Sequence, residues 1–112
     1  MRLITAIIQP DRLDAIIEAV TSEGARGLTV TEVRGFGEQY GHLTDAARAE
    51  YPAVLLPKIR VDTVVSDENA AAVTAAIAKA AHTGSIGDGK IWVADVDSVV
   101  RVRTGERDRD AV

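Results

Sequence analysis

"HTGSIGDGKIWV", residues 82–93, decides the fold by the direction in which it runs. Gly84, Gly89 and Lys90 stand in the spacing G-x-x-x-x-G-K, which is most of a P-loop. A P-loop leads from a strand into a helix, so that the helix N-terminus faces the phosphates, and it needs Ser or Thr after the lysine to hold Mg²⁺. Here Ile91 follows the lysine, "AAAVTAAIAKAAH" (70–82) before the glycines reads as helix, and "KIWVADV" (90–96) after them reads as strand. The order is reversed, so the turn closes a β-α-β unit instead of opening a nucleotide-binding helix.

Working outward, the same arrangement occurs twice. "LITAII" (3–8) is a strand-length apolar run, and after Pro10 and Asp11 the residues Leu13, Ile16, Ile17 and Val20 mark one face of a helix that Gly24 closes. "LTVTEV" (28–33) is β-branched and ends at Gly35 and Gly37. In "KIRVDTVV" (58–65), Ile59, Val61 and Val65 alternate with Arg60, Asp62 and Val64. Ser66 or Asp67 then caps a helix with an inner stripe of Val73, Ala76, Ile77 and Ala80, ended by Gly84. Two β-α-β units in succession predict an α+β, ferredoxin-like fold: an antiparallel four-stranded sheet with both helices on one face. "SVVRVR" (98–103) is expected as a short last strand, and "ERDRDAV" (106–112) as a surface tail. Residues 37–57 show no sustained period, and so long a loop in a compact domain is generally functional or mobile.

Composition narrows the function. The 112 residues suit one domain, and 46% hydrophobic content argues against disorder. Aromatics are 4%, so Val, Ile, Leu and Ala must build a small core, which favours subunit association. With no cysteine there is no disulfide framework or thiol nucleophile, and a reducing cytoplasm is the simplest location. "LITAII" meets Gln9, Pro10 and Asp11 without a cleavage-like site, and no stretch approaches a membrane span. A net charge of −4 speaks against general affinity for nucleic acid or an anionic membrane surface, and no direct membrane insertion is expected. His42 and His82 lack companions at metal spacing, Ser98 lacks a visible histidine and acid, and the few aromatics do not make an RNA-recognition module.

Three places concentrate anion-binding chemistry. At Gly84 to Lys90, glycines free backbone N–H groups and Lys90 adds charge, although a helix cap and tight turn explain Gly84 equally well. Arg101 and Arg103 share one face of the expected last strand, where edge protection is the simpler reading. "GFGEQYGH" (35–42) opens the long loop with three glycines and reads either as a hinge or as a close approach to a ligand.

Taken together, "TVTEVRGFG" (29–37), "AEY" (49–51), "LPKIRV" (56–61), "TGSIGDGKIWV" (83–93) and "VVRVRTGER" (99–107) resemble the PII nitrogen-regulatory signal-transduction proteins, in order and without gaps. The resemblance covers nearly the whole chain as a single domain, with 37–55 as T-loop, 82–90 as phosphate-binding loop and 102–112 as C-terminal loop and tail. It implies a homotrimer whose sheet faces pack around the axis, with adenine nucleotides (ATP, ADP or AMP) in clefts between subunits. It assigns Thr29, Gly37, Glu38, Val64, Gly87, Asp88, Gly89, Lys90, Arg101, Val102 and Arg103 to the nucleotide. Gln39, Lys58 and Gly87 fall to Mg²⁺ and 2-oxoglutarate, and Tyr51 to nucleotidylation. The T-loop is implied to control a membrane transporter or metabolic enzyme.

This chain also departs from the family. Glu38 stands where most members carry an arginine, and a carboxylate there repels the γ-phosphate, so ATP is expected to lose affinity relative to ADP or AMP. Gln9 and Tyr40 replace basic residues, which weakens the case for 2-oxoglutarate. "AARAEY" (46–51) displaces the tip arginine to Arg48, and Pro52, Val54 and Leu55 alter the segment after Tyr51. The expectation is a regulator, not an enzyme, and a paralogue tied to a transporter for something other than ammonium. The alternatives are a conventional nitrogen sensor modified on Tyr51 and a small oligomeric enzyme using the same cleft.

Overall fold

Strand β1 (Arg2–Ile8) shows why alternation specifies a sheet: Ile4, Ala6 and Ile8 point to one side and are fully buried or nearly so. The computed structural model describes residues 1–37, 44 and 55–112. After a single 3-10 turn at Pro10–Arg12 come α1 (Leu13–Ser22), β2 (Thr29–Gly35), β3 (Leu56–Val65), α2 (Asp67–Ala81) and β4 (Lys90–Asp95). The strands are ordered β2-β3-β1-β4, all neighbours antiparallel, with Ile4 opposite both Thr63 and Val93. This is the expected α+β, ferredoxin-like arrangement.

The core lies between the sheet and the helices. Ile16 and Val20 of α1 and Val73 and Ile77 of α2 are buried against Ile4, Ile8 and Val61. Each such side chain contributes on the order of 1.5–3 kcal/mol. Neither described aromatic residue is buried, Phe36 being 72% and Trp92 42% exposed, so the core is aliphatic as composition demands. Thr63 belongs to the inner face of β3, and its hydroxyl is satisfied by donating to the Gly27 carbonyl at 2.6 Å. Ser66 occupies the N-cap of α2, where its carbonyl accepts the Asn69 N–H at 3.1 Å. At the far end of α2, Arg12 donates through Nε and Nη2 to the Ala80 carbonyl at 2.9 and 2.6 Å, pairing a cation with a helix C-terminus and fastening the two units together.

Four expectations are corrected. Ile17 is 38% exposed, because the buried stripe of α1 is carried by Ile16 and Val20. In α2 the buried stripe is Val73, Ile77 and Ala81, with Ala80 partly buried and packed against the core as expected, while Ala76 is not part of it. Gly84 does not end that helix: His82 leaves it in extended conformation (φ −70°, ψ 127°), and Gly84, at φ +86°, lies two residues further on. Finally, "SVVRVR" is not a strand. Val100 forms one isolated bridge with Arg107, and the chain folds back, with the Arg101 N–H donating to Glu106 O and the Gly105 N–H to Arg101 O, each at 2.8 Å. Gly105 takes φ +72°, and this turn chemistry overrides the β-branched pattern. Arg101 and Arg103 therefore share no strand face. The tail ends in a 3-10 turn, Asp108–Ala111, and Arg107 to Asp110 are exposed, as expected.

The helices leave one face of the sheet open. It carries Leu3, Thr5 and Ile7 of β1, Lys58, Arg60 and Asp62 of β3, and Lys90 and Trp92 of β4.

Candidate functional site

The loop from His82 to Gly89 is organised by one carboxylate. Asp88 accepts hydrogen bonds from the Thr83 hydroxyl, from the Thr83 N–H at 2.7 Å and from the Gly84 N–H at 2.9 Å. His82 Nδ1 lies 3.8 Å away. The Thr83 hydroxyl, then the Thr83 amide, hold the Asp88 carboxyl below its ordinary pKa. The loop is thereby closed from within, and its glycines have separate tasks. Gly89 sits at φ +99° so close to β1 that an added Cβ would lie 1.7 Å from the Ile7 carbonyl oxygen. Gly87, at φ +103°, presents its carbonyl to Lys58, whose Nζ donates to it at 2.9 Å. Lys58 is 9% exposed, and burial lowers its pKa, an effect partly opposed by the nearby negative charge of Asp88.

This loop forms one wall of a groove of about 740 Å³ on the open sheet face. Ile7 and Trp92 lie along it, Phe36 and Gly37 border it at the end of β2, and three cations share its face: Lys58, Arg60 and Lys90. Arg34 also borders it, but in register with Pro57 its side chain belongs to the other face of β2. Among the described lining residues there is no carboxylate. Asp62, just outside, pairs with Arg60 Nε at 2.9 Å and accepts from the buried Thr5 hydroxyl at 2.7 Å. Arg60 first of all holds the Asp62 carboxyl below its usual range. A site so charged suits a ligand with several anionic oxygens, and Trp92 offers it a flat apolar surface.

Gly37, Lys58, Gly87, Gly89 and Lys90 are thus brought together. Asp88 is adjacent but directs its oxygens into its own loop. Thr29 and Val64 lie opposite Asp62 and Leu3 in the sheet, outside the groove lining. Arg101, Val102 and Arg103 belong to the C-terminal turn and do not line the groove of their own chain. Glu38, Gln39 and Tyr51 lie outside the described residues. Sequence reasoning missed Arg34, Arg60, Phe36 and Trp92 as groove residues. Two of these had a signal, since Arg60 and Trp92 stand two places from Lys58 and Lys90 and so share their face.

The sequence model described as Nitrogen regulatory protein P-II matches residues 1–106. The chain belongs to the PII family. It is 52% identical to a nitrogen regulatory protein P-II of Rhizobium meliloti (strain 1021) over 112 residues, covering all of both chains. It is likewise 48% identical, over the full length of each, to the nitrogen regulatory protein GlnK of Escherichia coli (strain K12). A P-II protein of Pasteurella multocida (strain Pm70) is 49% identical on the same terms. PII proteins are regulators of signal transduction, not enzymes, and they act through partner proteins. Among the described residues no helix is long and apolar enough to cross a membrane.

Proposed function

We propose that this PII protein binds adenine nucleotides at the groove beside residues 83–90 and uses its occupancy to control a membrane transporter or metabolic enzyme through residues 37–55. The observation that carries this reading is the convergence of Lys58, Arg60 and Lys90 on a glycine-walled groove whose described lining has no carboxylate. Polyphosphate is the ligand class that such a site stabilises best. In the proposed assembly, a cytoplasmic homotrimer, the open sheet faces meet and Arg101 and Arg103 reach the same phosphates from a neighbouring subunit. Glu38 sets the preference: its charge opposes a γ-phosphate, so ADP and AMP are favoured over ATP. Binding then acts by differential affinity for two states of the loop.

A second reading, a nitrogen sensor of the ordinary kind responding to Mg-ATP with 2-oxoglutarate and modified on Tyr51, draws support from Lys58. That ammonium is buried in the groove beside Gly87, where a dicarboxylate would find a desolvated cation. Calorimetry of ADP, AMP and ATP with and without Mg²⁺ and 2-oxoglutarate, on this protein and on Glu38→Arg, separates the two. The first reading expects ADP to bind more tightly than ATP and expects Glu38→Arg to recover ATP binding by about tenfold or more, the value of one charge-assisted contact. Tight ATP binding by the unmutated protein, strengthened by 2-oxoglutarate, selects the second.

A further inference from the structure

The C-terminal turn holds an ion pair that the proposed function does not use. Arg101 Nη1 lies 3.4 Å from Glu106 Oε1, and Nη2 donates to the Ala111 carbonyl at 3.3 Å. The backbone brings these residues together independently of their side chains. The Arg101 N–H donates to the Glu106 carbonyl, the Gly105 N–H to the Arg101 carbonyl and the Asp108 N–H to the Val99 carbonyl, all at 2.8 Å. Val99 N–H also donates to Asp108 Oδ1 at 3.1 Å. Glu106 is therefore held beside Arg101 by the fold, with both side chains partly open to water, 30% exposed for Arg101 and 44% for Glu106. Arg103, in the same turn, makes no ion pair among the described residues.

We propose that Glu106 is a built-in competitor for the anionic ligand at Arg101. This rests on the nucleotide reading, in which Arg101 contacts phosphate. A carboxylate and a phosphate offer the same guanidinium edge the same kind of oxygen acceptor, so both cannot hold it at once. Because Glu106 is tethered, its carboxylate is present at high effective concentration and raises the apparent dissociation constant of any anion that needs Arg101. The exchange requires only a side-chain rotation, since the backbone bonds of the turn remain. Glu106 thus sets a threshold: a ligand must bring more negative charge to Arg101 than one carboxylate does.

The test is an ADP titration by calorimetry of the intact protein, of Glu106→Gln, of Glu18→Gln and of Arg101→Ala with and without Glu106→Gln. Glu18, an exposed residue of α1 that does not line the groove, controls for the change in net charge. Glu106→Gln is expected to bind ADP about two- to fivefold more tightly, as the weak coupling of a half-exposed pair allows. Glu18→Gln is expected to match the unmutated protein, and the gain to vanish when Arg101 is alanine. Glu106→Ala serves in place of the glutamine variant if that one fails to fold. ADP binding unchanged or weakened by Glu106→Gln, an equal gain in Glu18→Gln, or a gain that survives without Arg101 overturns the inference alone. No ADP binding by the unmutated protein overturns it together with the nucleotide reading.

Discussion

Two turns of this molecule solve the same electrostatic problem in opposite ways. Between Thr83 and Lys90, the turn satisfies its carboxylate, Asp88, with a hydroxyl and two backbone amides, and Lys90 is left facing the groove with no ion-pair partner among the described residues. Between Arg101 and Glu106, the turn satisfies its cation with its own carboxylate. The first is pre-organised to receive an anion, because neutral donors do the holding and the charge is spare. The second must give something up before it can bind. Composition alone does not separate them, since both are short, glycine-bearing and rich in charge.

Substitutions can break this comparison at several strengths. The largest effect is expected from Gly89→Ala, whose methyl group collides with the Ile7 carbonyl in a backbone region that disfavours side chains. It should destabilise the fold by about 3 kcal/mol and lower the melting temperature by roughly 10 °C or more. An unchanged melting temperature would mean that this turn does not press on β1.

Next comes Lys90→Ala, expected to leave the melting temperature within about 2 °C, since the side chain is exposed, but to weaken ADP binding by at least about tenfold. Asp88→Asn probes the internal closure of the first turn through pH. The folded-state pKa of Asp88 is depressed below 3.8, so its contribution to stability is present above the unfolded value and is lost as pH falls through the folded one. Urea denaturation should therefore find the variant less stable than the parent at neutral pH, with the gap narrowing as pH falls below the unfolded carboxyl value of 3.8. A gap independent of pH would point to lost packing instead of lost charge. The smallest effect is the two- to fivefold gain for Glu106→Gln, which tests whether the second turn is restrained by its own carboxylate.

Much of the architecture was legible because helices and strands announce themselves by period. Leu13, Ile16 and Val20 against Ile59, Val61 and Val65 are enough to place one helix and one strand, and their order in the chain gives the topology. The features that were not legible depended on neighbours. The run "SVVRVR" has the composition of a strand, but strand propensity reports fit to a partner, and Gly105 turns the segment back on itself first. Ile17 lies at the margin of the stripe on α1, where only the placement of α2 decides burial. In the groove, Gly87, Gly89 and Lys90 were marked by glycine spacing and charge and Lys58 by resemblance, whereas Arg60 and Trp92 follow from simple alternation once Lys58 and Lys90 are placed. The part played by Asp88 could not be read at all, because its bonds to Thr83 and Gly84 exist only after the loop has closed.

Trp92 makes the central claim directly measurable, since it is the sole tryptophan and lines the groove. Its fluorescence can be followed during titration of ADP into the unmutated protein and into Lys90→Ala. A saturable change in the first, shifted to at least about tenfold higher ADP in the second, is the result predicted for a phosphate-binding groove beside residues 83–90. Identical titration curves for the two proteins, or no response and no heat of binding in either, would contradict it.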